Sequence, residues 1–156
     1  MARITVAERE KKKQMMDDLI FRLFMTEGWE VVTYDRLAKE LGMGKSSIQR
    51  YYESKNMFMT ALQGKVFPLA IQKLDFSTSE AFINSWVKAY HDEDSHVFRE
   101  VVRMLMDNIM SSGTAPQAKA AIYRMIQQLE NIMPHQEAED TMKMVLGCTV
   151  YAFLED

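Results

Sequence analysis

Residues 33–55 read TYDRLAKELGMGKSSIQRYYESK. Leu37, Ala38 and Leu41 share one face at helical spacing, and Thr33 or Asp35 can cap the segment that carries them. Gly42 ends it, and Gly42-Met43-Gly44 makes a tight turn. Lys45 to Tyr52 then predicts a third short helix, with Ile48 and Tyr52 at i, i+4 facing inward. Lys45, Ser46, Ser47, Gln49, Arg50 and Tyr51 remain for the outer face. Two short helices about a glycine turn form a helix–turn–helix, whose second helix lies in the DNA major groove while the first crosses the backbone. Small polar and basic side chains at a helix start suit phosphate and base-edge contacts. The competing reading is two packed helices with no nucleic-acid role.

Outward from this segment the helical period persists. Met16, Leu19, Ile20, Leu23 and Phe24 form an apolar stripe that Gly28 closes, while Trp29 to Thr33 reads as one short extended piece. Ser54 caps a helix bearing Phe58, Ala61, Leu62 and Val66, which Pro68 is expected to kink or end. Ser77-Thr78-Ser79-Glu80 opens a helix with Phe82, Trp86, Ala89 and Tyr90, and the acidic run from His91 to Asp94 breaks it. Phe98 to Ile109 makes another helix, stopped at Ser111-Ser112-Gly113. Ala118 to Leu129 follows Pro116, and Met142 to Phe153 follows the Met133-Pro134 break. The expectation is an all-α chain of about eight helices.

The net charge of −3 is unevenly spread: residues 1–65 carry +3 and residues 66–156 carry −6. A basic N-terminal part on an acidic remainder places any polyanion at the N-terminal end. Apolar residues make 47% of the chain and charged residues 26%, which excludes a disordered chain. No apolar run approaches a membrane span, and the charged start from Arg3 to Lys13 predicts no signal peptide, so the expected location is cytoplasmic. The single Cys148 cannot form an internal disulfide and sits among apolar helix positions. His91, Asp92, Glu93, Asp94 and His96 lack the spacing of a zinc helix, and no nucleophile–base set or phosphate loop is present. The reading is therefore not an enzyme, with no cofactor and no metal. Fourteen methionines suit adaptable apolar surfaces.

From about Asp17 to Leu62 the chain resembles the DNA-binding domain of the tetracycline-repressor (TetR/AcrR) family. The resemblance rests on Leu23-Phe24, Gly28-Trp29, Val32-Thr33, Leu37-Ala38, Leu41-Gly42, Lys45-Ser46-Ser47-Ile48, Tyr51-Tyr52 and Ser54-Lys55 in that order. It implies an N-terminal three-helix helix–turn–helix domain over 1–65 and a short helical dimerisation and ligand-binding domain over 66–156. It implies that Thr33 caps the second helix and touches phosphate, that Lys45 and Ser47 reach DNA, that Tyr51 meets phosphate or a base edge, and that Lys55 holds a phosphate. Tyr52 replaces the family's usual phenylalanine and is expected in the core. Gln49 stands where tyrosine is usual and can bond adenine bidentately. Gly44 replaces a better cap, at a cost of a few tenths of a kcal/mol. The Arg9 to Lys13 cluster is either an arm for the minor groove or phosphate, or a solvated helix start.

The resemblance further implies a homodimer on a palindromic double-stranded operator, built by the last two helices, with a cavity for an effector in the preceding ones. The matching dimer stripes are Ile122, Met125, Ile126 and Leu129, then Met142, Val145, Leu146, Val150 and Phe153; intrachain core is the competing reading for each stripe, and each helix is expected to do both, since a bundle helix can bury more than one face. Candidate effector contacts are Phe67, Phe82, Trp86, Tyr90, Met104, Leu105, Met106 and Met110, an apolar set that predicts an apolar or amphipathic small molecule. About ninety residues follow the DNA-binding part, which is short for the family and predicts a small pocket or none. The expected function is a repressor released by such an effector; the alternative keeps the fold and answers to a protein partner.

Overall fold

A computed structural model describes residues 3–111 and 116–155. It contains α1 (Val6–Glu27), α2 (Tyr34–Leu41), α3 (Lys45–Gln49), a 3-10 segment (Lys55–Ala61), α4 (Gln63–Ile71), α5 (Ser79–His91), α6 (His96–Met110), α7 (Pro116–Leu129) and α8 (His135–Glu155). Among the described residues there is no strand, and no helix is long and apolar enough to cross a membrane. The chain forms two compact units, divided between Lys65 and Val66.

In the first unit, Thr5 opens α1 with a reciprocal capping box to Glu8, so Arg9 to Lys13 are helical from the start. The α1 stripe of Met16, Leu19, Ile20, Leu23 and Phe24 is buried. Gly28, at φ 99°, turns the chain and donates its N–H to the Leu23 and Phe24 carbonyls. The expected extended piece at Trp29–Thr33 is instead a turn, closed by Val32 N–H to the Trp29 carbonyl at 3.0 Å. A lone strand would leave its backbone groups unpaired, whereas the turn pairs one and buries both Trp29 and Val32. Thr33 is the cap of α2, its hydroxyl accepting from Arg36 N–H at 3.1 Å. Asp35 lies in the first turn, where a carboxylate suits the helix dipole.

Two expectations about helix ends are corrected. The third helix stops at Gln49 rather than reaching Tyr52, because the chain tightens into a turn in which Tyr51 and Tyr52 N–H both donate to the Ile48 carbonyl. Pro68 does not end α4, which continues to Ile71. The interruption falls upstream, where the 3-10 segment gives way at Leu62.

In the second unit, Thr78 caps α5 and accepts from Ala81 N–H at 3.0 Å. Helices α5 and α8 pack together, and so do α5 and α6, α6 and α7, and α7 and α8. Trp86 crosses to α8, its indole N–H donating to Thr149 Oγ1 at 2.8 Å, and the Thr149 hydroxyl donates in turn to the Val145 carbonyl at 2.8 Å. Of the predicted stop at Ser111-Ser112-Gly113, Ser112 and Gly113 lie outside the described residues; α6 ends at Met110.

Candidate nucleic-acid interface

Gly42 adopts the left-handed conformation at φ 62°, which lets its N–H and that of Met43 return to the Ala38 carbonyl and reverses the chain within two residues. Gly44 then opens α3 from an extended conformation without a side-chain cap. Lys45 Nζ reaches back to Asp35 Oδ1 at 3.4 Å, across the turn from the start of α2, while remaining 53% exposed. Ile48 and Tyr52 are fully buried beneath this segment. Lys45, Ser46, Gln49 and Arg50 stand in solvent above them, and Ser47, Tyr51, Thr33 and Lys55 are half-buried. The outward face thus carries donors and two cations over an apolar base. Lys55 begins the 3-10 segment with its ammonium 5.2 Å from the centre of the Trp29 ring.

A five-residue helix cannot hold its own orientation by internal hydrogen bonds. Polar contacts around Tyr52 do so. The Tyr52 hydroxyl donates to Asp17 Oδ1 on α1, and Lys13 Nζ donates to the same carboxylate at 2.7 Å and to the phenol oxygen at 3.1 Å. Burial, then the Asp17 hydrogen bond and its charge, push the Tyr52 phenol well above its usual range, so it stays protonated and remains the donor. From the other side, the Tyr34 hydroxyl on α2 donates to the Tyr52 carbonyl at 2.6 Å, and the Tyr34 and Tyr52 rings both pack on Phe58. Position 52 is core, as expected; what the sequence reading missed is that its hydroxyl is wired to α1. The signal was available, since Lys13 and Asp17 lie at i, i+4 with Tyr52 in place of a phenylalanine.

This network predicts that Tyr52→Phe keeps the fold and loses about 1 kcal/mol. Asp17→Ala leaves the buried hydroxyl without its carboxylate and costs about 1–3 kcal/mol. Urea denaturation followed by far-UV circular dichroism measures both; equal stability for both variants and wild type would remove the network from the account.

Arg9 on α1 lies over the Tyr51 ring, its guanidinium carbon 5.0 Å from the ring centre. Arg9, Lys13, Asp17 and Tyr51 share a groove of about 480 Å³. The Arg9–Lys13 cluster lies in the first turns of α1, and Arg9 adjoins the segment that follows α3.

Among the described residues of the second unit, the effector candidates fall in different surroundings. Phe82 and Met104 are fully packed in the core, and Met110 is 77% exposed. Met106 is half-buried. Phe67, Trp86 and Leu105 line a core cavity of only about 30 Å³, the space of roughly one water. Trp86 and Tyr90 also line a separate cleft of about 230 Å³ between α5 and α8.

The dimer candidates divide in two. Met125, Ile126, Leu129, Met142 and Val145 are buried within the chain itself, so their apolar area is already covered. Ile122, Leu146 and Phe153 are half-buried, and Val150 is exposed. Helix α8 presents a second apolar face that the sequence reading passed over: Met144, Gly147, Tyr151 and Leu154, at 3-4-3 spacing. Met144, Tyr151 and Leu154 are 55%, 66% and 78% exposed, and a Cβ built on Gly147 meets no atom within 4 Å. Its signal was the seven-residue repeat, hidden because one of its positions is glycine.

Comparison with known proteins adds two family matches. Residues 18–62 match the bacterial regulatory proteins of the tetR family, and residues 63–153 match the tetracycline repressor LuxT C-terminal domain. The chain is 24% identical over 144 residues to the HTH-type transcriptional regulator SrpR of Pseudomonas putida; the overlap covers 86% of this chain and 65% of that protein, just under two thirds of its length. It is 26% identical over 110 residues to the uncharacterized HTH-type transcriptional regulator TtgW, also of Pseudomonas putida, covering 65% of this chain and 80% of that one. Over 54 residues it is 37% identical to the nucleoid occlusion factor SlmA of Haemophilus influenzae, covering 35% of this chain and 25% of that protein.

Proposed function

The chain belongs to the tetR family of bacterial regulatory proteins, and from that premise we propose that it is a homodimeric repressor that grips a palindromic operator and is released by an apolar or amphipathic small molecule. The observation that carries the DNA-binding half is the exposed face of Lys45, Ser46, Gln49 and Arg50 over the buried Ile48 and Tyr52. Such a face offers bonds to bases and phosphates without disturbing the core beneath it. What supports the dimer is the 3-4-3 face of α8. Glycine inside a helix costs about 1 kcal/mol relative to alanine. Nothing inside the described chain needs Gly147 to be small, but a second helix packed closely against it would. A two-fold pair would match the symmetry of a palindrome.

The small core cavity favours a second reading for the signal, in which the regulator keeps its DNA and its dimer but answers to a protein partner. The α5–α8 cleft supports the small-molecule reading.

Mobility shifts and fluorescence anisotropy on the DNA upstream of the protein's own gene test the first half. Lys45→Ala and Lys55→Ala should weaken binding to all sequences and lower the slope of log K against log salt by roughly one per lost phosphate contact. An unchanged slope removes these lysines from the phosphate set. Gln49→Ala should relax preference at one base pair per half-site by roughly 1–3 kcal/mol. Binding-site selection returning the same motif for this variant and wild type would count against base reading at position 49.

A further inference from the structure

The geometry points to the cleft between α5 and α8 as a binding site for a small aromatic cation, one or two rings with a quaternary or protonated nitrogen. This rests on the reading of the chain as a ligand-responsive regulator and names the class of ligand. The core cavity, at about 30 Å³, is too small for any such molecule, whereas the cleft is about 230 Å³. An apolar cavity of roughly 150 Å³ accepts a benzene ring, so this one accepts a somewhat larger body.

The inner wall is made by Trp86, Tyr90, Thr149 and Ala152, all buried. Two of its polar groups are spent: the Trp86 N–H goes to Thr149, and the Thr149 proton goes to the Val145 carbonyl. A ligand therefore meets this part of the wall through an apolar body rather than through hydrogen bonds. The rim carries His91 and Glu155, both exposed, and Tyr151, which this site shares with the α8 face proposed for the dimer; Glu155 is the carboxylate in the lining. Three aromatic side chains and one carboxylate, with no lysine or arginine in the lining, favour a cation: ring faces attract positive charge, and the carboxylate supplies the counter-charge.

Trp86 also gives the site a means of being felt elsewhere. It lines the core cavity as well as the cleft, and Phe67, Ala70 and Ile71 of α4 stand around that cavity. A ring pressed against Trp86 from the cleft moves it into the slack of that cavity, and so toward α4. The ligand shifts the regulator by no more than its difference in affinity for the two positions of that ring.

The test titrates the whole chain with 1-methylquinolinium and with 1-methylnaphthalene, its neutral counterpart of the same shape, reading the Trp86 indole resonance by NMR and affinity by calorimetry. The cation should bind at least tenfold more tightly and move the Trp86 signal. Glu155→Gln, at an exposed position, should reduce that preference to threefold or less while leaving the neutral compound unchanged. Equal affinity for the two compounds, or a preference that survives Glu155→Gln, overturns the site. Operator binding is measured in the same samples. Cation binding that depends on Glu155 but leaves operator affinity unchanged supports the site and overturns the release mechanism. Operator binding by a protein that takes up no 1-methylquinolinium at any concentration tested overturns the site and leaves the DNA-binding reading standing.

Discussion

Gly147→Leu should turn the proposed dimer into a folded monomer at micromolar concentration and lower operator affinity by about two to three orders of magnitude. The expectation follows from where the new side chain goes. In the chain alone a Cβ at this position has open space, so leucine adds no clash and replaces a poor helix former with a good one. Against a second helix closing on Met144, Gly147, Tyr151 and Leu154, the same side chain would hold the backbones apart. A monomer reads one half-site and loses the second set of contacts, a large share of the margin between specific and non-specific binding. Sedimentation velocity and anisotropy on the operator measure the two effects, with circular dichroism confirming unchanged helicity. A variant that remains dimeric would move the interface off this face of α8.

Met125→Glu, one helix earlier and also on a stripe the sequence offered for dimerisation, should fail in another way: it should destabilise the second unit. Met125 is 6% exposed and lines the core cavity with Trp86 and Ala121. A carboxylate placed there without a partner costs about 3–5 kcal/mol, a large part of the 5–15 kcal/mol that holds a typical domain. The melting temperature should fall by at least roughly 10 °C. The new carboxyl would be neutral in the folded state at a higher pH than in the unfolded chain. The loss is therefore full above its raised folded pKa and shrinks as the pH falls toward the ordinary glutamate value. Thermal scans at pH 7.5 and pH 5.5 read both the drop and its partial relief. A variant that melts like wild type while losing its dimer would put Met125 at a subunit contact after all.

These two substitutions show what could be read before the fold was known. Periodicity located the helices, because the stripes of α1 and α5 through α8 are apolar at 3 and 4 spacing and nothing competes with that pattern. It could not say which of two apolar faces on α8 turns inward. Met142 and Val145 are more hydrophobic than a face containing Gly147, so the stripe that includes them drew the dimer assignment, and these two residues are buried in the chain's own core. The same blindness explains the effector set. Phe82, Trp86 and Tyr90 fall on one side of α5, but how closely their neighbours pack is a property of tertiary contacts, and Phe82 is filled in while Trp86 and Tyr90 keep a cleft on one side. On the first unit the sequence was more informative, since glycines at 28 and 42 each satisfy a specific positive-φ requirement. Even there it missed the turn at Trp29–Val32 and the early end of α3, both set by short-range backbone pairing rather than by periodicity.

The short third helix has a consequence for how such a regulator changes its target. Lys45, Ser46, Gln49 and Arg50 are exposed, Lys45 with one ion pair to Asp35 in solvent, while Ile48, Tyr52, Tyr34, Asp17 and Lys13 hold the segment from beneath. Reading and holding are assigned to separate residues. Exchanges among the four outward positions leave the folding energy nearly untouched, within about 0.5 kcal/mol for ordinary surface substitutions, so selection can search them freely for a new operator. A library randomised at 45, 46, 49 and 50 should yield mostly proteins as stable as wild type with altered DNA preferences, whereas one randomised at 17, 34 and 52 should yield mostly destabilised ones. The capacity to acquire a new binding site is thus stored in a five-residue helix that does little to hold itself together.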